Sequence, residues 1–426
     1  MEQSTLAIII VLLAIVSFAL EKIPVALTAI LASLAMAIFG ITDYSKAYSD
    51  FGSQAAVMVA AMMICGNACF DNGVAQAMGN KITKIGLGKN ERLLVTVMTG
   101  FAVFLSAFFS NSAVVAMMIP LVASVVSKSG GRCTNKRVLM AVGMGSAAGG
   151  FCTLSGSTPQ VAAQTILETT PGCTPMHYFT LAKAGIPLCL IVIIYFATVG
   201  YWLEKKSLKF EDVCPVELTN EGEGESKPVD KRKFWLTAII MILVVAGFVS
   251  GIWNIAVVAM VGATLMILTG CVGLKDAFHG IDWNTIVVLA CSQGFAKGME
   301  TSGAGQLIAD TTLNVLGDKA TVFVVLGIII VLSVILTNIM SNIATGTMMF
   351  PIVIALANGM GVNPTTFVIA VVIACQCAFA TPVGTPCVTQ TMVGGYKFMD
   401  YVKIGLPLNI ITTVAAVFLI PLCYGI

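Results

Sequence analysis

Residues 110–120 read SNSAVVAMMIP, and residues 341–351 read SNIATGTMMFP. Six of the eleven positions are identical, pairing Ser110 with Ser341, Asn111 with Asn342, Ala113 with Ala344, Met117 with Met348, Met118 with Met349 and Pro120 with Pro351. The copies lie 231 residues apart. A polar Ser-Asn pair inside an apolar segment, present twice, points to a membrane transporter with duplicated halves.

The duplication extends outward from these segments. A shift of 230 lays Phe18 on Phe248, Ala47 on Ala277 and Gly73 on Gly303. Thr158-Pro159 falls on Thr385-Pro386, and FTLAKAGIPL (179–188) resembles MDYVKIGLPL (399–408). Chance similarity between two apolar sequences gives scattered Leu, Val and Ala matches. It does not give Ser-Asn, Thr-Pro and Lys-x-Gly-x-Pro in the same order.

The chain is 58% hydrophobic and 10% charged, with mean hydropathy +0.95. Soluble domains carry about 25% charged residues, so this is a membrane protein of many helices. A net charge of +2 suggests no nucleic-acid partner. No HExxH, Cys-x-x-Cys or GxxxxGK[ST] motif occurs, and His177 and His279 are the only histidines. The 13 cysteines lie mostly in apolar segments without regular spacing, as small buried hydrophobes do. The apolar run 5–20 has no basic flank and has a counterpart at 235–250, so it reads as a retained transmembrane helix rather than a signal peptide.

The first half, 1–204, predicts spans near 5–20, 23–41 and 55–70 and a basic amphipathic stretch over 71–92. Next come a hairpin over 93–127, a Gly/Ser-interrupted segment over 137–167 and a last span over 178–203. The second half, 234–426, repeats this at 234–251, 252–272, 285–300, 301–320, 321–358, 364–394 and 404–424. Residues 205–233 read as a solvated cytoplasmic linker. The 35 residues of 93–127 fall short of the roughly 40 that two crossings want. A polar midpoint at Ser110-Asn111 favours a re-entrant hairpin with its tip at membrane depth, over two short spans joined by an ordinary turn. Each half then makes an odd number of net crossings, five, and the second half enters inverted. The Lys and Arg residues divide 19 to 4 between the two sides, which puts the linker in the cytoplasm and both termini outside.

None of the 21 acidic residues falls in mid-span, and neither does any Lys or Arg. A coupling cation would therefore be bound by hydroxyls, amide carbonyls and unwound backbone, which suits Na⁺, and an anion by helix N-termini and neutral donors. Ser110 and Ser341 read as N-caps. Asn111 and Asn342 offer an N–H to the anion and a carbonyl to the cation. Ser106 and Thr337, each four residues before its serine, add hydroxyls on the same face. GSTPQ (156–160) and GTPCV (384–388) interrupt long apolar segments with Gly and Pro, so their helices break. Ser157, Thr158 and Thr385 supply hydroxyls there. For a single copy, interhelical hydrogen bonding or a proline kink would be the simpler account.

These motifs together resemble the divalent anion/sodium symporter family of the ion transporter superfamily, over nearly the whole chain. The resemblance implies an all-α polytopic membrane protein of two inverted repeats, each with a re-entrant hairpin and a broken helix. It implies a homodimer in a bacterial or archaeal plasma (inner) membrane, working by elevator-type alternating access. It also implies one Na⁺ near Ser106, Ser110, Asn111 and Gly156 and another near Thr337, Ser341, Asn342 and Gly384. A small organic anion of the di- or tricarboxylate class would contact Ser110, Asn111, Ser112, Ser157, Thr158, Ser341, Asn342, Thr385 and Pro386. The chain departs from the family pattern at Ile343, where a hydroxyl residue is usual, and at Gln160-Val161 and Cys387-Val388, where Pro-Asn commonly follows Thr-Pro. The missing hydroxyl suggests an anion smaller than succinate, or differently shaped. The rivals are an ion channel, an inorganic anion permease of arsenite or sulfate type, a cation/proton antiporter of the same superfamily, and a membrane enzyme, for which no catalytic constellation speaks.

Overall fold

The computed structural model describes residues 3–20, 22–74, 77, 90–214, 230–250, 252–304, 307, 311, 321–382 and 384–425. Most of the amphipathic stretch 71–92, most of the 301–320 segment and 215–229 of the linker lie outside the described residues. The described chain is all helical, with no strand. Its first half runs α1 (Gln3–Leu20), α2 (Val25–Ile38), α3 (Gln54–Asp71), α4 (Glu91–Ser106), α5 (Asn111–Ser127), α6 (Asn135–Gly149), α7 (Thr158–Thr169), α8 (Ala182–Ala197) and α9 (Val199–Ser207). The second half runs α10 (Lys231–Ser250), α11 (Ile255–Leu268), α12 (Trp283–Thr301), α13 (Val322–Thr337), α14 (Asn342–Gly359), α15 (Pro364–Gln376), α16 (Pro386–Gln390) and α17 (Phe398–Tyr424).

The helices break where the polar motifs predict. Ser110 and Ser341 occupy N-cap positions, and the Thr-Pro pairs open α7 and α16 with proline in the first turn, where its missing N–H costs nothing. The second helix of each half is shorter than its predicted span. Gly40 and Gly270, at φ +67° and +73°, end α2 and α11 in left-handed turns. In each turn the next amide, Ile41 or Cys271, reaches back to the carbonyl of Met36 or Met266 at 2.9 Å, closing the helix end.

Large apolar side chains such as Leu13, Ile242 and Leu422 are exposed, whereas Gln376, Ser106 and Thr337 are fully buried. Water would not cover such a surface, and hydrocarbon does; the chain is a multi-pass integral membrane protein. Among the described residues α10, α14 and α17 are each long and apolar enough to cross a bilayer, and α8 with α9, bent by 44°, makes a fourth candidate. Most of α14 (72%) is buried, against 28% of α10 and 33% of α17, so α14 runs through protein rather than along lipid.

The halves interlock. α2 packs on α12 and α11 on α3, so the second helix of each half lies against the third of the other. α5 packs on α16 and α14 on α7, which brings each tip helix against the broken helix of the opposite half. The Lys-x-Gly-x-Pro repeat has a packing cause. A Cβ on Gly185 would lie 2.2 Å from the Phe151 carbonyl, and one on Gly405 1.8 Å from that of Phe379, so each closing helix needs glycine to approach the unwound backbone.

At the start of the linker Lys205, Lys206, Lys209, Glu211 and Asp212 are exposed, yet the segment is tied to the protein. Glu204 is fully buried, and Asp212 accepts hydrogen bonds from the amides of Asn135 (3.0 Å) and Lys136 (2.9 Å). Those amides open α6 and need an acceptor, and the dipole there favours an anion. Beside them Glu91 takes Thr134 N at 2.9 Å and Tyr201 Oη at 3.0 Å and pairs with Arg137, tying α4, α6 and α9 together.

Candidate functional site

The two tips and the two helix breaks meet around one cavity of about 450 Å³. All nine residues predicted to contact substrate line it: Ser110, Asn111, Ser112, Ser157, Thr158, Ser341, Asn342, Thr385 and Pro386. Gly156 and Gly384 line it too. Ser106 and Thr337 do not reach it; they lie fully buried behind the tips.

Behind each tip the same local plan recurs. Ser106 Oγ donates to Asn111 Oδ1, and Thr337 Oγ1 lies 2.7 Å from Asn342 Oδ1. Both hydroxyls come from the last turn of the preceding helix, five residues before the asparagine. Thr337 Oγ1 is also 2.8 Å from the Cys375 carbonyl, so its one hydrogen faces two acceptors. Ser146 Oγ, from α6, lies 3.1 Å from Ser106 Oγ and 2.9 Å from the Asn111 carbonyl. Acceptor oxygens crowd together at both places, a donor set that fits a hard cation. The breaks press close from the other side. A Cβ on Gly384 would sit 2.2 Å from the Thr337 carbonyl, and one on Gly156 3.2 Å from that of Ser106.

On the cavity side the asparagines differ. Asn342 Nδ2 donates to Thr385 Oγ1 at 3.4 Å and its amide N to the Gly384 carbonyl at 3.1 Å. Among the described residues Asn111 has neither contact. The breaks are linked to each other through Gln376, whose Nε2 reaches Ser157 Oγ at 2.7 Å and Gln160 Oε1 at 3.3 Å.

Four polar lining residues escaped the sequence reading: Asn67, Ser155, Asp282 and Thr285. Asn67 Nδ2 donates to the Gly280 carbonyl at 2.8 Å, holding α3 against the approach to α12. Asp282 caps α12, accepting from Asn284 N at 3.1 Å and Thr285 Oγ1 at 2.6 Å. The expectation that acids keep to helix ends holds for Asp282 by position, yet the residue lines the cavity. No Lys or Arg is among the lining residues. Asn67 was detectable by the signal that flagged Ser-Asn, a polar side chain in an apolar run. Asp282 carried no such signal, because it stands outside the span.

The citrate transporter family profile matches residues 15–362 and 249–425. The chain belongs to the citrate transporter family. This makes it a transporter and not an enzyme, in the ion transporter superfamily with the divalent anion/sodium symporters. An uncharacterized transporter of Synechocystis is 32% identical over 47% of this chain and 34% of its own length, so the chain spans about a third of that relative. The sodium-dependent dicarboxylate transporter SdcS of Staphylococcus saprophyticus is 22% identical over 95% of this chain and 84% of its own length. The solved YdaH transporter of Alcanivorax borkumensis, 13% identical, covers 99% of this chain and 98% of its own with a TM-score of 0.65, a likeness of fold alone.

Proposed function

We propose that this member of the family is a secondary active transporter that carries a small organic anion together with Na⁺. The observation that carries the reading is the single cavity where both Ser-Asn tips and both Thr-Pro breaks converge. Helix N-termini at Ser110 and Ser341 aim positive dipole ends at an anion, while hydroxyls, carbonyls and helix C-termini behind them suit Na⁺. Na⁺ here is cargo. One ion would sit by Ser106, Ser110, Asn111 and Gly156, the other by Thr337, Ser341, Asn342 and Gly384. The di- or tricarboxylate class follows from the resemblance and from what SdcS is named for.

In this reading 1–204 and 234–426 are inverted repeats around the cytoplasmic linker 205–233, and the tips belong to re-entrant hairpins. The protein works as a homodimer in a bacterial or archaeal plasma (inner) membrane. Hairpins and broken helices move as one body in an elevator-type cycle. The basic bias of 19 to 4 supports the orientation. A cysteine placed at position 220 of a cysteine-free chain should resist labelling from outside, and efficient labelling there rejects the orientation.

The decisive test is uptake of labelled anions by proteoliposomes with and without an inward Na⁺ gradient. Asp282 in the cavity favours one rival, a cation/proton antiporter of the same superfamily. That rival wins if transport follows a pH gradient and ignores Na⁺. An inorganic anion permease wins if sulfate or arsenite is taken up and carboxylates are not.

A further inference from the structure

The tips share a plan but leave different groups free. At the first, the backbone amides of Asn111, Ser112 and Ala113 have no acceptor among the described residues. The Ser110 hydroxyl makes no cap bond, and the Asn111 Nδ2 has no partner among the described residues although Asn111 is only 7% exposed. Ser112 adds a hydroxyl, and all three residues line the cavity. At the second tip several of the matching groups are used within the protein. Asn342 N donates to the Gly384 carbonyl, Ala344 N donates to Ser341 Oγ at 3.4 Å, and Asn342 Nδ2 donates to Thr385. Ile343 stands where Ser112 stands in the other copy.

A carboxylate needs several donors, and a buried one without them is expelled toward water. The first tip offers such a set; the second offers an aliphatic side chain. Elsewhere the wall includes Met62, Met63 and Phe70, and its one carboxylic acid is Asp282. At the place matching Ser112 a second carboxylate would thus meet Ile343 instead of a hydroxyl donor. We propose that the preferred substrate is a small monocarboxylate, its single carboxylate clamped at Ser110–Ser112 and its short apolar body lying over Ile343. This rests on the reading of the cavity as an anion site and narrows the class that the resemblance implies.

The test compares labelled 3-methyl-2-oxobutanoate, succinate and citrate in proteoliposomes of the full chain under an inward Na⁺ gradient. The monocarboxylate should be preferred by about tenfold or more, the effect of one well-made hydrogen bond gained or lost. Ile343→Thr should shift preference toward succinate by about tenfold, and Ser112→Ala should weaken monocarboxylate uptake by a similar factor. Preference of the wild type for succinate or citrate overturns the inference while leaving the anion reading intact. An Ile343→Thr variant that takes up the monocarboxylate normally but gains nothing toward succinate also overturns it. Failure of all three probes to enter with Na⁺ overturns the anion reading, and this inference with it.

Discussion

The first tip is open and the second is closed. Ser110, Asn111 and Ser112 bring unused donors to the cavity, whereas Asn342 spends its own on Gly384 and Thr385 and Ser341 Oγ accepts from the Ala344 amide. Behind both tips the arrangement stays alike, with a hydroxyl from the previous helix turn on each asparagine carbonyl. On the proposed reading, the duplicated halves have kept two similar cation pockets and let the anion-facing side diverge. A repeated motif therefore does not imply repeated chemistry at every atom.

The largest effects should come from the asparagines, and they should differ in kind. Asn111→Ala removes an amide that faces the cavity and the acceptor of the buried Ser106 hydroxyl, and should abolish Na⁺-driven uptake at a smaller cost in stability than its counterpart. Asn342→Ala should abolish uptake as well, but it also strips Thr385 and Thr337 of a buried partner. It should cost about 1–3 kcal/mol of stability. Thermal melting in detergent beside proteoliposome uptake separates the two. Equal loss of stability would erase the distinction between an open and a closed tip.

The glycines behind the tips sharpen the contrast from the other side. An added methyl at Gly384 would lie 2.2 Å from the Thr337 carbonyl, which belongs to a helix end and cannot turn away. At Gly156 the nearest atom is the Gly150 Cα at 2.9 Å. Gly384→Ala should destabilise by about 1–3 kcal/mol, as forced overpacking does, and Gly156→Ala by less. The comparison is read from paired melting curves, and a Gly156 variant as damaged as the Gly384 one would mean the breaks are equally tight.

Much of this was legible before any coordinates, because polar residues in apolar runs are expensive and stand out. Ser110-Asn111, Ser341-Asn342 and the Thr-Pro breaks were found that way, and every substrate residue named from them lines the cavity. The Lys-x-Gly-x-Pro repeat was visible, but its cause, the approach of Gly185 and Gly405 to the Phe151 and Phe379 carbonyls, lies in tertiary packing. Crosswise contact of α5 with α16 and α14 with α7 carries no local signal at all. Ser146 hid in GMGSAAGG, where a small polar residue reads as one more close-packing position. The docking of the linker's start was missed because a charge run normally means a free, solvated segment. Asp212 instead caps the amides that open α6.

The smallest effect belongs to the serines that head the tips. Ser341 Oγ accepts from the Ala344 amide at 3.4 Å, a long cap, while Ser110 caps nothing. Losing a cap costs about 0.5–2 kcal/mol, and the long distance puts Ser341→Ala at the low end. Ser110→Ala should leave stability unchanged, since no bond to a described residue is lost. For transport the order reverses. On the proposed reading the Ser110 hydroxyl is one of the donors reserved for the carboxylate, so its removal should raise the apparent KM for the anion several-fold. Ser341→Ala should change that KM by less than about twofold, well under the tenfold that 1.4 kcal/mol represents. Measuring melting temperature and anion KM on both variants crosses the two readouts. If Ser341→Ala raised the KM as much as Ser110→Ala, the closed tip would be engaging the anion after all, and the asymmetry would belong to packing rather than to recognition.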